Sequence, residues 1–350
     1  MSRFRVGPRC ARWAVALRVT LLTSLLLRTA LGTASRSATA KRAQRGPTRK
    51  RDTLRYLRAG AIWTALPVRD QRLLLWLLQA DVVTAQLAAL LVYGQLRTAQ
   101  RRLARLSEYG LVTGFWAAGV QRPRGRYAYA LTPAARVDIE RLVWPDGRPQ
   151  RAIALPPSPP IHQLASHDLL AAFLTRTDET RGEGLFAWIP ERPASELLGG
   201  YVRPDAIAGL RIGGRAIVLF IERDLGTERG EVLPGKIRRY RSLFGGRSPI
   251  ALSVGFVVES GRRERSIQHL LHPSLTGPRM LTITADRLVA DPIGALWADG
   301  LAAIPTRGLE AFGDTDASVL IAGCLADPDA LAAFDDRAAQ AMSVLRPHLR

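Results

Sequence analysis

Residues 203–240 read "RPDAIAGLRIGGRAIVLFIERDLGTERGEVLPGKIRRY", and their reading decides the fold of the second half of the chain. Two runs of β-branched and apolar residues flank Gly213-Gly214, the pattern of a hairpin with a two-residue turn. Asp205 opens the first run behind a proline. Glu222 and Asp224 close the second. A basic stretch, "VLPGKIRRYRSLF", follows with helical spacing and a proline near its start. Carboxylates therefore gather at one end of two adjacent strands, and a lysine, Lys236, follows on the next helix.

Working outward, "HQLASHDLLAAFLTRT" (162–177) reads as a helix with Leu164, Leu169, Leu170 and Phe173 inward. "LFAWIPE" (185–191) reads as a strand. "PIALSVGFVVES" (249–260) is a continuous apolar run, as expected of a strand buried on both faces. "RRERSIQHLLHP" (262–273) reads as a helix and "RMLTITADRLVADP" (279–292) as another strand. The order is α-β-β-β-α-β, then α-β. It resembles the restriction-endonuclease-like, or PD-(D/E)xK, fold. That resemblance implies Mg²⁺ held by Asp205, Glu222 and Asp224, and catalysis by Asp205, Glu222 and a lysine. The motif lysine is absent, because its position two residues after Glu222 is Asp224. Lys236 is the candidate replacement. A plainer reading has Asp205 cap a turn, and Glu222 and Asp224 pair with Arg203, Arg223 or Arg238 at a strand end. His167 and Asp168 lie on the helix that can approach the same place.

The first half of the chain has a different character. Residues 1–51 carry 13 Arg or Lys and no acid; residues 52–150 carry 14 basic and 7 acidic residues; residues 151–350 carry 23 of each. A polyanionic partner would therefore sit on the first half. Residues 68–83 read as a helix with Leu73, Leu74, Leu77 and Leu78 on its apolar face, broken at 81–84. Thr84 is placed to cap a second helix, with Leu87, Ala88, Leu90 and Leu91 inward and Gly94 as its stop. A third, "LRTAQRRLARLSEYG" (96–110), turns Ala99, Leu103 and Leu106 inward and leaves Arg97, Gln100, Arg101 and Arg105 mainly on other faces. Two strands follow, "LVTGFWAAG" (111–119) and "RYAYALT" (126–132), with "VQRPRG" (120–125) read as their turn. Thr132-Pro133 then opens another helix.

Three short helices and a basic hairpin resemble a winged helix-turn-helix. The resemblance implies binding of double-stranded DNA, with Arg97, Gln100, Arg101, Arg102 and Arg105 on the reading helix and Arg122, Arg124 and Arg126 on the wing. A helical module that binds protein instead would have the same pattern.

The predicted organisation is a basic, disordered arm (1–51), a winged helix-turn-helix (52–144), a proline-rich linker (145–160), an α/β domain (161–295) and an Ala- and Asp-rich helical extension (296–350). Residues 144–160 hold six prolines and read as a stiff spacer. Residues 11–38 admit three readings: a disordered arm, a secretory signal, or a start codon placed too early. Arg18 interrupts the apolar run, and residues 19–27 are too few to span a bilayer. Cys10 and Cys324 form neither a disulfide framework nor a metal cluster, and the expected location is cytoplasmic, with no membrane partner.

The winged segment, the His167 helix, "RPDA" and "IERDLGTE…LPGKIRRY" together resemble the replication-relaxation family of bacterial plasmid and mobile-element proteins. Membership implies a DNA-binding protein of plasmid replication, copy-number control or transfer; it establishes no enzyme, and the missing motif lysine points the same way, to a nuclease-like domain that does not cleave. Two alternatives stay open: an Mg²⁺-dependent endonuclease using Asp205 and Glu222, and a protein-interaction adaptor. Duplex DNA is the expected partner, with replication or transfer proteins and a second copy of the chain as further ones. No cofactor other than Mg²⁺ is implied.

Overall fold

The computed structural model describes residues 62–119, 122–143, 161–178, 183–198, 200–213, 215–226, 232–244, 252–271, 279–294 and 297–299. The predicted arm, the proline-rich linker and the extension beyond residue 299 lie outside these residues. The chain divides into two compact units, Met1–Leu164 and Ala165–Arg350. It is a mixed α/β protein, with one antiparallel and one mixed sheet.

The first unit begins with helix α1 (Val68–Ala80), whose Leu73, Leu74, Leu77 and Leu78 are fully buried. The helix stops at Asp81, whose φ of 62° is a left-handed conformation uncommon for a residue with a Cβ. The Arg136 guanidinium holds the Asp81 carboxylate at 2.6 Å. Strand β1 (Val82–Thr84) follows. It was not predicted: three residues between two helices are too short for an alternation to register, and pairing with a later strand makes it. Thr84 caps helix α2 (Ala85–Ala88), its hydroxyl accepting the Leu87 N–H at 3.2 Å. The helix widens into a π-turn at Ala89–Tyr93 and ends at Gly94, whose φ of 76° suits glycine. Helix α3 (Leu96–Glu108) buries Ala99, Leu103 and Leu106, as the spacing predicts.

Strands β2 (Val112–Gly119) and β3 (Arg122–Leu131) form the hairpin, and β1 joins it on the far side of β3. The register runs to Gly119↔Arg122. Residues 122–125 therefore belong to strand β3, and the turn is shorter than the six residues expected. Thr132 closes the hairpin. Its hydroxyl donates to the Gly110 carbonyl at 2.8 Å and accepts the Ala135 N–H at 3.2 Å, opening helix α4 (Pro133–Val143).

The second unit is built on a six-stranded sheet in the order β4-β5-β6-β7-β8-β9, all neighbours in sequence. Helix α5 (Ile161–Arg176) leads into β4 (Gly184–Pro190). A short helix, α6 (Glu191–Leu197), precedes β5 (Ala206–Ile212) and β6 (Arg215–Asp224). Strand β5 runs antiparallel to both β4 and β6, and Ile212↔Arg215 confirms a two-residue turn at 213–214. Helix α7 (Val232–Phe244) then crosses to β7 (Leu252–Val258), and α8 (Gly261–Leu270) crosses to β8 (Arg279–Thr284), so β6, β7 and β8 are parallel.

The expected element order is present, with three additions. Helix α6 was not anticipated. Residues 285–290 form helix α9 (Ala285–Ala290) rather than prolonging the strand; Thr284 sits at its N-cap position, and an antiparallel β9 (Ala298–Asp299) completes the sheet. One face of the sheet packs Phe220, Val254, Phe256 and Val258 against Leu233, Ile237 and Tyr240 of α7 and Ile267 of α8. Residues of β6 alternate between faces, so Phe220, Glu222 and Asp224 share the α7 side while Arg223 points the other way.

Candidate functional site

The strand-end carboxylates are the first candidate. Asp205 stands one residue before β5. The register Ala206↔Ile221, carried one step further, sets it opposite Glu222. Its N–H donates to the Ile221 carbonyl at 2.9 Å, and its carboxylate accepts the Arg223 N–H at 2.6 Å. Glu222 is 2% exposed. It accepts one bond from Lys236 Nζ at 2.8 Å and one from the Tyr240 hydroxyl at 2.6 Å. Lys236 and Tyr240 are four residues apart on α7, one helical turn, so both reach the same strand position.

Burial is the largest influence on Glu222 and pushes its pKa up to about 8, against the pull of Lys236; the charge of Asp205 adds to the rise. Burial beside Glu222 also raises Tyr240. Asp224 is drawn elsewhere. Its carboxylate pairs with Arg263 of α8 at 2.7 Å and accepts the Gly226 N–H at 2.6 Å. Arg223, on the opposite face, donates to the carbonyls of Asp224 and Val257 and pairs with Glu259. Burial lowers its pKa, while Asp168, Asp205, Asp224 and Asp286 act to raise it.

The structure thus brings Asp205, Glu222 and Lys236 together and sends Asp224 to a separate partner. These residues do not suit a divalent ion. A metal needs several oxygen donors converging on one point, whereas Glu222 is spent on Lys236 and Tyr240, and Asp224 on Arg263. Among the described residues, no group of three or more His, Cys, Asp or Glu side chains could hold a metal ion. The plainer pairing expectation also changes. The partner of Asp224 is Arg263, and Arg203 faces Glu191 at 3.7 Å. Tyr240 completes the cluster. The four-residue Lys-to-Tyr spacing was its signal. His167 is buried in α5, and Asp168 lies within electrostatic reach of Arg223.

The second candidate is the outer face of α3. Arg97, Gln100, Arg101 and Arg105 are exposed, opposite the fully buried Ala99, Leu103 and Leu106. Arg105 lies over the Tyr109 ring at 4.9 Å and donates to the Tyr109 hydroxyl and to Glu108.

Arg102 departs from this set. Its guanidinium is clamped by both oxygens of Asp70, a residue with no exposed surface, and the Tyr93 hydroxyl donates to the same carboxylate at 2.8 Å. The contact pins α3 to α1, so Arg102 is a structural residue. Arg126 is half-buried and donates to the Leu164 carbonyl at 3.4 Å. Arg122 and Arg124 occupy β3, and their side chains lie outside the description.

A family model described as replication-relaxation matches residues 74–250, half of the chain, spanning α3, the hairpin and the Glu222 cluster. The chain belongs to the replication-relaxation family. No curated protein and no solved structure matches it. Membership points to a role in replication or in mobile-element processes. Among the described residues of this replication-relaxation protein, no helix is long and apolar enough to cross a membrane.

Proposed function

We propose that this replication-relaxation protein binds double-stranded DNA through a winged helix-turn-helix in its first unit. Helix α3 lies in the major groove and the β2–β3 hairpin serves as the wing. The second unit is a restriction-endonuclease-like scaffold that does not cleave, and the whole acts in plasmid or mobile-element replication, copy-number control or transfer. The observation that carries this reading is the division of α3 into a buried apolar stripe and an open face bearing Arg97, Gln100, Arg101 and Arg105. A helix of that width fits the major groove, and arginines on its outer face can reach phosphates and guanine edges.

The non-cleaving reading of the scaffold rests on the Glu222 cluster. Asp224 stands where the motif lysine would be, and Lys236, the candidate replacement, is engaged by the buried Glu222. Replication or transfer proteins and a second copy of the chain are further partners consistent with this role.

The test is retention of a labelled duplex by the full chain, with and without Mg²⁺. Wild type should retain duplex, and Arg101→Ala/Arg105→Ala should lose retention with its melting temperature unchanged. Supercoiled plasmid should stay intact in Mg²⁺. A double variant that binds as well as wild type would refute the reader. Nicking abolished by Asp205→Ala would refute the inert scaffold.

A further inference from the structure

The hairpin carries two large rings that the core of the first unit leaves uncovered. Trp116 is 69% exposed and Tyr127 43%. They are cross-strand partners on β2 and β3, with centroids 5.2 Å apart and planes at 72°. Tyr127 in turn meets Tyr129 edge-on, also at 5.2 Å. Gly114 makes the arrangement possible, since a Cβ there would come within 2.8 Å of the Tyr127 ring. The ladder Tyr129, Tyr127, Trp116 runs along the hairpin from a half-buried ring to an open one. Edge-to-face packing occupies at most one face of each ring, so Trp116 keeps an open surface for a further flat partner.

The surroundings say what that partner is. Strand β2 packs against α3, whose outer face carries Arg97, Arg101 and Arg105. Thr132 and Gly110 tie the base of the hairpin to the end of α3. Arg126 alternates onto the other face of β3, where it donates to the Leu164 carbonyl. Residues 52–150 hold 14 basic and 7 acidic residues. An open aromatic face on a basic unit suits single-stranded nucleic acid: the cations hold phosphates, and the rings stack on bases of any identity. A closed duplex offers no base face, because its bases are stacked on one another.

We propose that Trp116 and Tyr127 form a stacking platform for an unpaired base, so that the protein prefers a duplex ending in a single-stranded arm to a closed duplex. This rests on the reading of α3 as the duplex-binding element. The chain then recognises a fork or a melted edge: α3 holds the paired segment and the wing receives the first base that leaves it.

The experiment is fluorescence anisotropy with the full chain and three probes sharing one labelled strand: a closed duplex, the same duplex with an unpaired arm, and the single strand alone. Wild type should bind the forked probe about tenfold more tightly than the closed duplex, within the range that one base–aromatic stack supplies. Trp116→Ala should remove that preference, costing the forked probe far more affinity than the closed duplex, with melting temperature unchanged. Trp116→Phe should keep most of it, and Gly114→Ala, which displaces Tyr127, should weaken it.

Equal binding of fork and duplex by wild type would overturn the proposal while leaving the α3 reading intact. Failure to bind any duplex would instead remove the reading on which it rests. A Trp116→Ala variant that loses fork and duplex affinity equally, or that only changes from oligomer to monomer, would assign the rings to another task and overturn the platform.

Discussion

Lys236 of helix α7 donates to Glu222 of strand β6 at 2.8 Å, and this bond closes over a carboxylate that is almost wholly buried. The pair fastens the crossover helix to the sheet at the strand end where Asp205 and Glu222 meet. Its energetics follow from the order of its causes. Desolvation favours the protonated carboxyl, and the ammonium favours the carboxylate.

Removing the ammonium should therefore have a pH-dependent effect. Burial raises the Glu222 pKa from 4.5 to about 8 in the folded chain, so the native state binds the extra proton between those values. Native stability contributed through this group then falls as pH rises from about 4.5 to 8. Lys236→Met takes away the charge that offsets the burial. It should cost about 3 kcal/mol at pH 8, the low end for breaking a buried pair, and clearly less at pH 5, where Glu222 is protonated. Denaturant melts at the two pH values check this; an equal loss at both would contradict it. Glu222→Gln should flatten the pH dependence.

Arg102 and Arg101 are neighbours in sequence with opposite fates, and variants should separate them. Asp70→Ala leaves the Arg102 guanidinium and the Tyr93 hydroxyl without their shared acceptor. It should destabilise the first unit by about 3 kcal/mol. Tyr93→Phe should cost about 2 kcal/mol, the loss of one bond to a charged group. Arg101→Ala should change stability by less than about 0.5 kcal/mol, as an exposed position does. Thermal melts of the three variants decide the matter.

The salt dependence of duplex binding should count arginines. If Arg101 and Arg105 each neutralise a phosphate, replacing either by Ala lowers the slope of log affinity against log salt by about 1. The surface pair between Arg105 and Glu108 is worth little and should not mask the effect. Titrations at four salt concentrations suffice, and an unchanged slope would place the arginine away from the backbone.

Gly255 is a tight point of the large sheet. A Cβ there would come within 2.8 Å of the fully buried Trp297 ring and 3.0 Å of Leu219. Gly255→Ala should cost about 1–3 kcal/mol, as overpacking does. A melt of the variant at or above the wild-type temperature would show that the indole can give way.

Particular residues show why some features were legible in the sequence and others were not. The apolar faces of α1 and α3 follow from spacing, since Leu73, Leu77, Leu103 and Leu106 recur at helical intervals and need no partner to be recognised. The hairpin at 213–214 announces itself through paired glycines. Strand β1 has no such signal, because three residues become a strand only when β3 lies beside them. Helix α9 was hidden because "TITADRLVA" keeps an apolar run going across the point where strand gives way to helix. At the site, the sequence shows which carboxylates share a sheet end but not which cation each one finds. Asp224 meets Arg263 from 39 positions away. Asp70, which claims Arg102, is likewise distant from it in sequence, so Arg102 looked like its neighbours until the helices were assembled.

One hydroxyl, that of Thr132, touches both the carbonyl closing α3 and the amide opening α4. Helix, hairpin and following helix therefore share a single anchoring atom. The spacing between α3 and the hairpin is thereby set by one side chain. A lesion at Thr132 would blur that dimension while leaving every arginine in place.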